Sequence, residues 1–387
     1  MEKENTENKD TQIVKNEQSA QNKFWAKTKK TLSYVFIDGL SGMAIGLFAT
    51  LIIGTIIETI GDLICSAGAS NIGNYFKVVG IVAKFLMGAG IGLGVGYKLK
   101  KPPLVTISAG VIGMLASFVT KIDVSSLTFS LQNATTTVPM VGEPLTAFIG
   151  AFVALEVGSL VSGKTKVDII VTPLVAIFAG AIITFIVGEP IGVFIAWLRE
   201  LVKTAGEQQP FLMGVLVAVL MGVFLTLPIS SAAIGVMLSL SGTIAGAAVV
   251  GCCCHMVGYA VMSFRENKWG GLIAQGLGTS MLQMPNLVKK PILWLPPIIA
   301  SAILGPIASC ALMMTSTPAG SGMGTAGLVG VIETFRDMAI TNGENIAIVL
   351  LKIISIDIVA PAVLCLIISE IMRKFKIIKQ GDLKLDL

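Results

Sequence analysis

"TPAGSGMGTAGLVGVIETF" (Thr317–Phe335) is the stretch on which the reading of this chain turns. Five glycines, at 320, 322, 324, 327 and 330, interrupt it, and six residues without a polar side chain (Gly327–Ile332) lead into Glu333. The run is too broken for a continuous spanning helix and too apolar for a loop in water. Backbone that leaves the helix at membrane depth survives only where protein or a water-filled cavity satisfies its polar groups. The stretch is therefore predicted to be a re-entrant hairpin, the kind of element that builds transporter sites near the bilayer midplane. An ionisable group at that depth is costly and reads as functional by default, which makes Glu333 the first candidate site residue. The alternative is a structural pairing with Arg336 or Lys352.

The rest of the chain supplies the membrane context. Of its 387 residues 54% are hydrophobic and 13% charged, and the mean hydropathy is +0.84. Soluble domains carry roughly a quarter charged residues. Apolar runs long enough to cross the ~30 Å hydrocarbon layer recur throughout, at 34–60, 76–98, 103–120, 145–162, 168–187, 211–228, 229–264 (interrupted), 292–314 and 346–372. They are continuous and rich in Gly, Ala, Leu and Ile, unlike the alternating strands of an outer-membrane barrel. The expected fold is an all-α polytopic membrane protein with about ten transmembrane helices, the broken 229–264 region counting as one or two, plus two re-entrant hairpins. The second hairpin is "GGLIAQGLGTSMLQMPN" (Gly270–Asn286), and "TLPISSAA" (Thr226–Ala233) reads as a further helix break.

Charge orients the chain. Residues 1–30 are polar, carry no apolar signal core, and are expected to form a disordered tail. The turns "KLKK" (Lys98–Lys101) and "GKTK" (Gly163–Lys166) and the C-terminal "RKFKIIKQ" are basic, whereas the loop at 121–140 is rich in Ser and Thr. Basic loops stay inside, so both termini are expected in the cytoplasm of a plasma membrane. The net charge of +5 does not point to nucleic acid, because the lysines cluster at segment ends. Cys252, Cys253 and Cys254 are adjacent, so on a helix they diverge by about 100° and cannot close around one metal ion. With Cys65, Cys310 and Cys365 they read as packing residues rather than a disulfide framework. No P-loop or nucleophile with a positioned base is visible, and no catalytic residue, metal or cofactor is expected.

Further polar residues stand out against the apolar background. His255 is the only histidine, in "GCCCHMVGY"; the alternative to a site is a buried imidazole bonded to a carbonyl. Gln275, Thr279, Gln283 and Asn286 would share one face of a helix by steps of four, four and three, and amides and hydroxyls suit a polyol ligand. The alternative is a wet amphipathic surface helix. Lys84 and Glu156 lie in separate spans and could pair, and Asp357 is another intramembrane acid. "VGEPLTAFI" (Val141–Ile149) and "VGEPIGVFI" (Val187–Ile195) share six of nine residues. Each reads as a helix start, with Pro at the first position and Glu143 or Glu189 near the positive dipole end. The ladder Gly88, Gly92, Gly96 reads as small-residue helix packing.

"GVIETF" (Gly330–Phe335) resembles the Gly-x-x-Glu signature of the membrane IIC component of bacterial phosphotransferase sugar permeases. "GTSMLQMPNLVKKP" (Gly278–Pro291) and "VGEPIG" are similar to the smaller IIC branch that includes regulators of perfringolysin O. The resemblance covers roughly 30–375 and implies two lobes: a scaffold and dimerisation half (31–210) and a transport half with the hairpins (211–372), followed by a basic tail (373–387). It implies a homodimer that carries a sugar, contacted by Glu333 and His255, and hands it to a separate phospho-IIB protein for phosphorylation. Two departures stand out: Thr334 replaces the usual proline after the glutamate, and no soluble IIA or IIB domain is read in the chain. They leave open a IIC-fold regulator or sensor without phosphotransfer. The acids and Lys84 leave open an ion-coupled carrier of a small polar solute.

Overall fold

The computed structural model describes residues 31, 33–66, 68–119, 122–123, 128–129 and 142–385. The N-terminal tail and most of the loop at 121–140 lie outside the described residues. Within them the chain is almost wholly helical, with one two-residue antiparallel pair, β1 (Ile122–Asp123) and β2 (Thr128–Phe129). Helix is the expected answer to an apolar surround, because only a helix satisfies every backbone group within its own segment.

Among the described residues six helices are long and apolar enough to cross a bilayer: α1 (Tyr34–Ser66), α5 (Pro144–Val161), α6 (Asp168–Gly206), α9 (Gly242–Met262), α12 (Pro291–Ala311) and α14 (Ile346–Lys374). The pair α2 (Ser70–Phe85) and α3 (Met87–Lys98), bent by 56°, makes a seventh if it is one broken span. Two shorter apolar helices, α4 (Pro103–Ser117) and α7 (Pro210–Thr226), fall where segments were expected. The interrupted 229–264 region resolves into the short α8 (Ser231–Met237) and the long α9.

An N-terminal bundle is built from α1 to α6. Its core is Met43, Leu47, Ile91, Val105, Ile112, Phe148 and Leu155 with their neighbours. The glycine ladder works as anticipated: a Cβ at Gly88 would meet the Gly113 carbonyl oxygen at 2.3 Å and one at Gly92 the Ala109 carbonyl oxygen at 2.1 Å, so α3 lies backbone to backbone against α4. α6 runs for 39 residues with Pro173 and Pro190 inside it, and only 22% of its most apolar window is buried. This corrects one sequence reading. "VGEPLTAFI" does start a helix, with Pro144 in the first turn of α5 and Glu143 at the cap. "VGEPIGVFI" does not; Pro190 and Glu189 lie in mid-helix. Apolar sequence continues on both sides of Pro190, and losing one N–H costs less there than opening the backbone to lipid.

The C-terminal bundle wraps α9, which is 83% buried over its apolar window, with α7, α12 and α14 around it. Two features depart from simple spans. Residues 312–328, between α12 and the short α13 (Val329–Phe335), are turn-rich yet largely buried. Gly324 has φ +52°, and a Cβ there would lie 2.7 Å from that of Cys252 on α9. Gly327 (φ +54°) approaches Thr55 of α1 in the same way, so this segment sits where the two bundles meet. The second feature follows α9: α10 (Phe264–Ile273), itself broken at Lys268, then an extended Thr279, a short turn at Ser280–Gln283 and α11 (Met284–Lys289). Met281 belongs to the N-terminal core, while Leu287 belongs to the C-terminal one.

Candidate functional site

Glu333 lies on α13 at the end of the glycine-rich segment. Its side chain is 16% exposed. Oε2 accepts a hydrogen bond from Thr317 Oγ1 at 2.7 Å, a residue from the start of the same segment. Oε1 accepts one from Arg336 at 2.9 Å, the cation one helical turn on. Arg336 is 61% exposed, and exposed i,i+3 pairs contribute little, about 0–1 kcal/mol. A Cβ on Gly320 would lie 2.8 Å from that of Glu333, so glycine here lets the loop close over the acid. Thr334, at the position of the usual proline, is buried and donates to Ser316 Oγ at 3.1 Å. The hydroxyl fastens α13 to the far end of the loop.

His255 is fully buried in the middle of α9. Nδ1 is 3.0 Å from Thr226 Oγ1. That hydroxyl also lies 2.7 Å from Ser280 Oγ and 3.2 Å from the Gly222 carbonyl oxygen, joining α7, α9 and the 279–283 turn. Trp294 and Tyr259 flank the ring at 5.8 and 6.0 Å between centroids. Nε2 is buried with no hydrogen-bond partner among the described residues. Buried polar atoms are rarely left so, and one without a protein partner calls for a ligand or water. Thr226 and Ser280 escaped the sequence reading; the helix break after Thr226 was its one signal.

The four residues expected on one helix face lie on an interrupted path, because Thr279 is extended (φ −160°) and caps the next turn through its own hydroxyl. All four are buried. Gln275, Gln283 and Asn286 nonetheless meet. Gln283 Nε2 donates to Gln275 Oε1 at 2.8 Å, and Asn286 Nδ2 donates to Gln283 Oε1 at 2.8 Å. Their remaining amide donors go to protein acceptors, including the carbonyls of Leu383 and Lys384 near the C-terminus.

No hydrogen bond or ring contact joins Glu333 to His255. They approach one another only through the buried loop: Gly330 packs on Gly324, Gly324 on Cys252 of α9, and Thr325 Oγ1 lies 3.5 Å from the sulfur of Met256, next to His255. Two clefts lie along the seam, one lined by Ile37, Ser41, Asn286 and Lys289, the other by Leu40, Met43, Pro228 and Met284. Neither lining includes Glu333 or His255.

Compared with family models, residues 37–385 match the one described as "Phosphotransferase system, EIIC". This chain belongs to that family. No curated protein and no solved structure matches it. The match runs from α1 to the C-terminal tail, so it takes in both polar centres. Together with the apolar helices it makes this EIIC protein a multi-pass plasma-membrane component of a phosphotransferase system.

The remaining acids of the EIIC chain fall apart from these centres. Lys84 pairs with Glu58 of α1 rather than Glu156. Glu156 instead accepts from Tyr34 at 2.7 Å and pairs with Lys101 at 2.9 Å. The expected Lys84–Glu156 pair fails because Lys84 faces back onto α1, the helix from which α2 returns. Glu143 is half-buried at the start of α5, and Glu189 is exposed on α6. Asp357 on α14 is 0% exposed, and both its oxygens lack a hydrogen-bond partner among the described residues. The three adjacent cysteines are fully buried, with Cys252 Sγ directed at the Met221 carbonyl oxygen at 3.5 Å, which suits packing.

Proposed function

We propose that the protein is the sugar-translocating IIC subunit of a phosphoenolpyruvate-dependent phosphotransferase system, acting with a separate phospho-IIB protein. The family match over residues 37–385 supports the system. The observation that carries the site is the buried imidazole edge of His255, whose Nε2 has no partner among the described residues while Nδ1 is held by Thr226. A neutral imidazole with one nitrogen fixed offers the other to a hydroxyl, as donor or acceptor according to tautomer. Glu333 supplies the second contact, a carboxylate whose exposed Arg336 is a weak competitor for a sugar hydroxyl.

In this reading the polypeptide binds and orients, and the covalent step belongs to the partner. Residues 31–210 form the scaffold of a homodimer, residues 211–372 the transport lobe, and the helices complete ten spans with the two broken segments as re-entrant hairpins. Both termini face the cytoplasm. The lobe carries sugar from Glu333 and His255 to the inner face, where phospho-IIB traps it as a phosphate ester. The test is sugar-dependent loss of phosphate from a phospho-IIB protein in the presence of membranes containing this chain. Dephosphorylation that ignores every sugar offered rejects the reading.

Asp357 favours a second reading, a proton-coupled carrier of a small polar solute. Its carboxyl is fully buried on a spanning helix with no hydrogen-bond partner among the described residues, and an ionisable group placed at such depth reads as part of an ion pathway. Uptake that survives loss of the phosphoryl relay and collapses with the proton gradient selects this reading over the first.

A further inference from the structure

The last described residues do not trail into solvent. After α14 the chain turns at Lys376 (φ 58°) and Gly381 (φ 94°) and lies back across the α10–α11 region. Leu383 is completely buried, and Asn267 Nδ2 and Gln283 Nε2 both donate to its carbonyl oxygen, at 2.8 and 3.0 Å. Asn286 Nδ2 donates to the Lys384 carbonyl at 2.9 Å, and the Leu385 N–H returns a bond to Asn267 Oδ1 at 2.8 Å. Side-chain amides thus hold the main chain of the tail, as a receptor holds an extended peptide around one buried anchor. Charge adds to the fastening: Lys290 pairs with Asp382 at 2.6 Å, and Glu266, held by Arg373, accepts from the Gly381 N–H.

The tail crosses the seam between the bundles. Asn267, Gln283, Asn286 and Lys290 belong to the C-terminal bundle. Leu385 packs with Ala44 and Phe48 of α1, in a small cluster with Ala274 and Leu282. Lys384 lines the seam cleft together with Ile37, Ser41 and Asn286. Little of this fastening is cooperative secondary structure: the attachments are side-chain bonds, an ion pair and two leucines, and segments held so open at low local free energy.

We infer that Gly381–Leu385 is a displaceable strap that latches the C-terminal bundle to α1 and closes the seam cleft, and that it must leave its amide cradle before the two bundles can part. Gln283 and Asn286, with Gln275 accepting from Gln283 behind them, then hold the strap rather than a solute. Only its consequence for uptake rests on the transporter reading; the docking is measured without solute.

The experiment uses the full chain in nanodiscs, with Ser41→Cys as a reporter in the cleft and Cys310→Ala removing the exposed native thiol. The probe is a charged maleimide, and the readout is the labelling rate. A chain truncated after Lys379 is expected to label at least tenfold faster than the full chain. Lys290→Asp alone and Asp382→Lys alone are expected to do the same, and the double reversal to restore slow labelling. Should the truncated chain not fold, the charge-reversal series decides. Equal rates in all variants, or a double reversal as fast as the singles, overturn the strap.

Discussion

Thr226 Oγ1 lies 3.0 Å from His255 Nδ1, while the other ring nitrogen is buried with no hydrogen-bond partner among the described residues. Removing the imidazole should therefore cost more ligand affinity than loosening it. His255→Ala is expected to lose about 1–3 kcal/mol of solute binding, the cost of an unmade buried hydrogen bond. Thr226→Val should lose less, because Trp294 and Tyr259 still flank the ring. A sugar-dependent thermal-shift titration of both variants ranks them; equal affinity for His255→Ala and the parent removes His255 from the site.

Glu333 and Arg336 separate in the same way. Glu333→Gln keeps the shape and removes the charge-assisted acceptor, which should weaken solute binding by about 1.5–3 kcal/mol. Arg336→Gln removes a mostly exposed partner and should change binding by less than about 1 kcal/mol. If the arginine variant is the damaged one, the ion pair is structural and the carboxylate is not a contact.

Gly222 is the packing counterpart of the histidine. A Cβ there would come within 2.5 Å of His255 Cδ2 and 2.6 Å of the Gly251 carbonyl oxygen. Backbone cannot yield as a side-chain tip can, so Gly222→Ala should destabilise by about 1–3 kcal/mol. Thermal unfolding in detergent checks this; an unchanged midpoint would mean that α7 and α9 are less closely apposed than they stand here.

Asp357 invites the opposite outcome. Replacing an unpartnered buried acid with leucine should raise stability by about 1–3 kcal/mol, since no hydrogen bond is lost and a desolvation penalty disappears. A fall in the unfolding midpoint would reveal a partner for the acid. A rise accompanied by loss of uptake would mark the acid as functional.

The strap has a pH signature. Burial pulls the Asp382 carboxyl upward, but Lys290 and the Lys379 N–H outweigh it and hold its pKa below the ordinary 3.8. A depressed carboxyl stabilises the docked form above its unfolded pKa and ceases to do so as pH falls through the folded value. The rate at which the Ser41→Cys reporter labels, divided by that of the truncated chain at the same pH to cancel the falling thiolate fraction, should thus be flat from neutral pH down to about pH 5 and rise only near and below pH 4. A midpoint above pH 5 would assign the release to another group.

Hydropathy carried the helical elements because lipid imposes one rule on the backbone. The start of α5 was legible from proline after a polar break, and the glycine ladder was legible from its spacing. The same cue misled at Pro190, where apolar sequence on both sides keeps the helix intact. Gln275, Gln283 and Asn286 were visible as a polar set, but Gln283 and Asn286 also donate to carbonyls about a hundred residues further on, and no local pattern links an amide to a distant carbonyl. The pairing of Lys84 was hidden likewise, since two acids lay within reach and only the fold of α2 onto α1 chooses Glu58.

α6 extends 39 residues, about 58 Å at the helical rise, and little of it is covered by protein. A hydrocarbon layer of ~30 Å cannot enclose such a rod upright, so it must lean, bend at its prolines or project past the headgroups. Whichever it does, the bundle leaning on it inherits the angle. Lipid chain length is thereby a mechanical input to this protein: thinner or thicker membranes would retilt α6 and, through it, reset the stance of everything packed on its inner face.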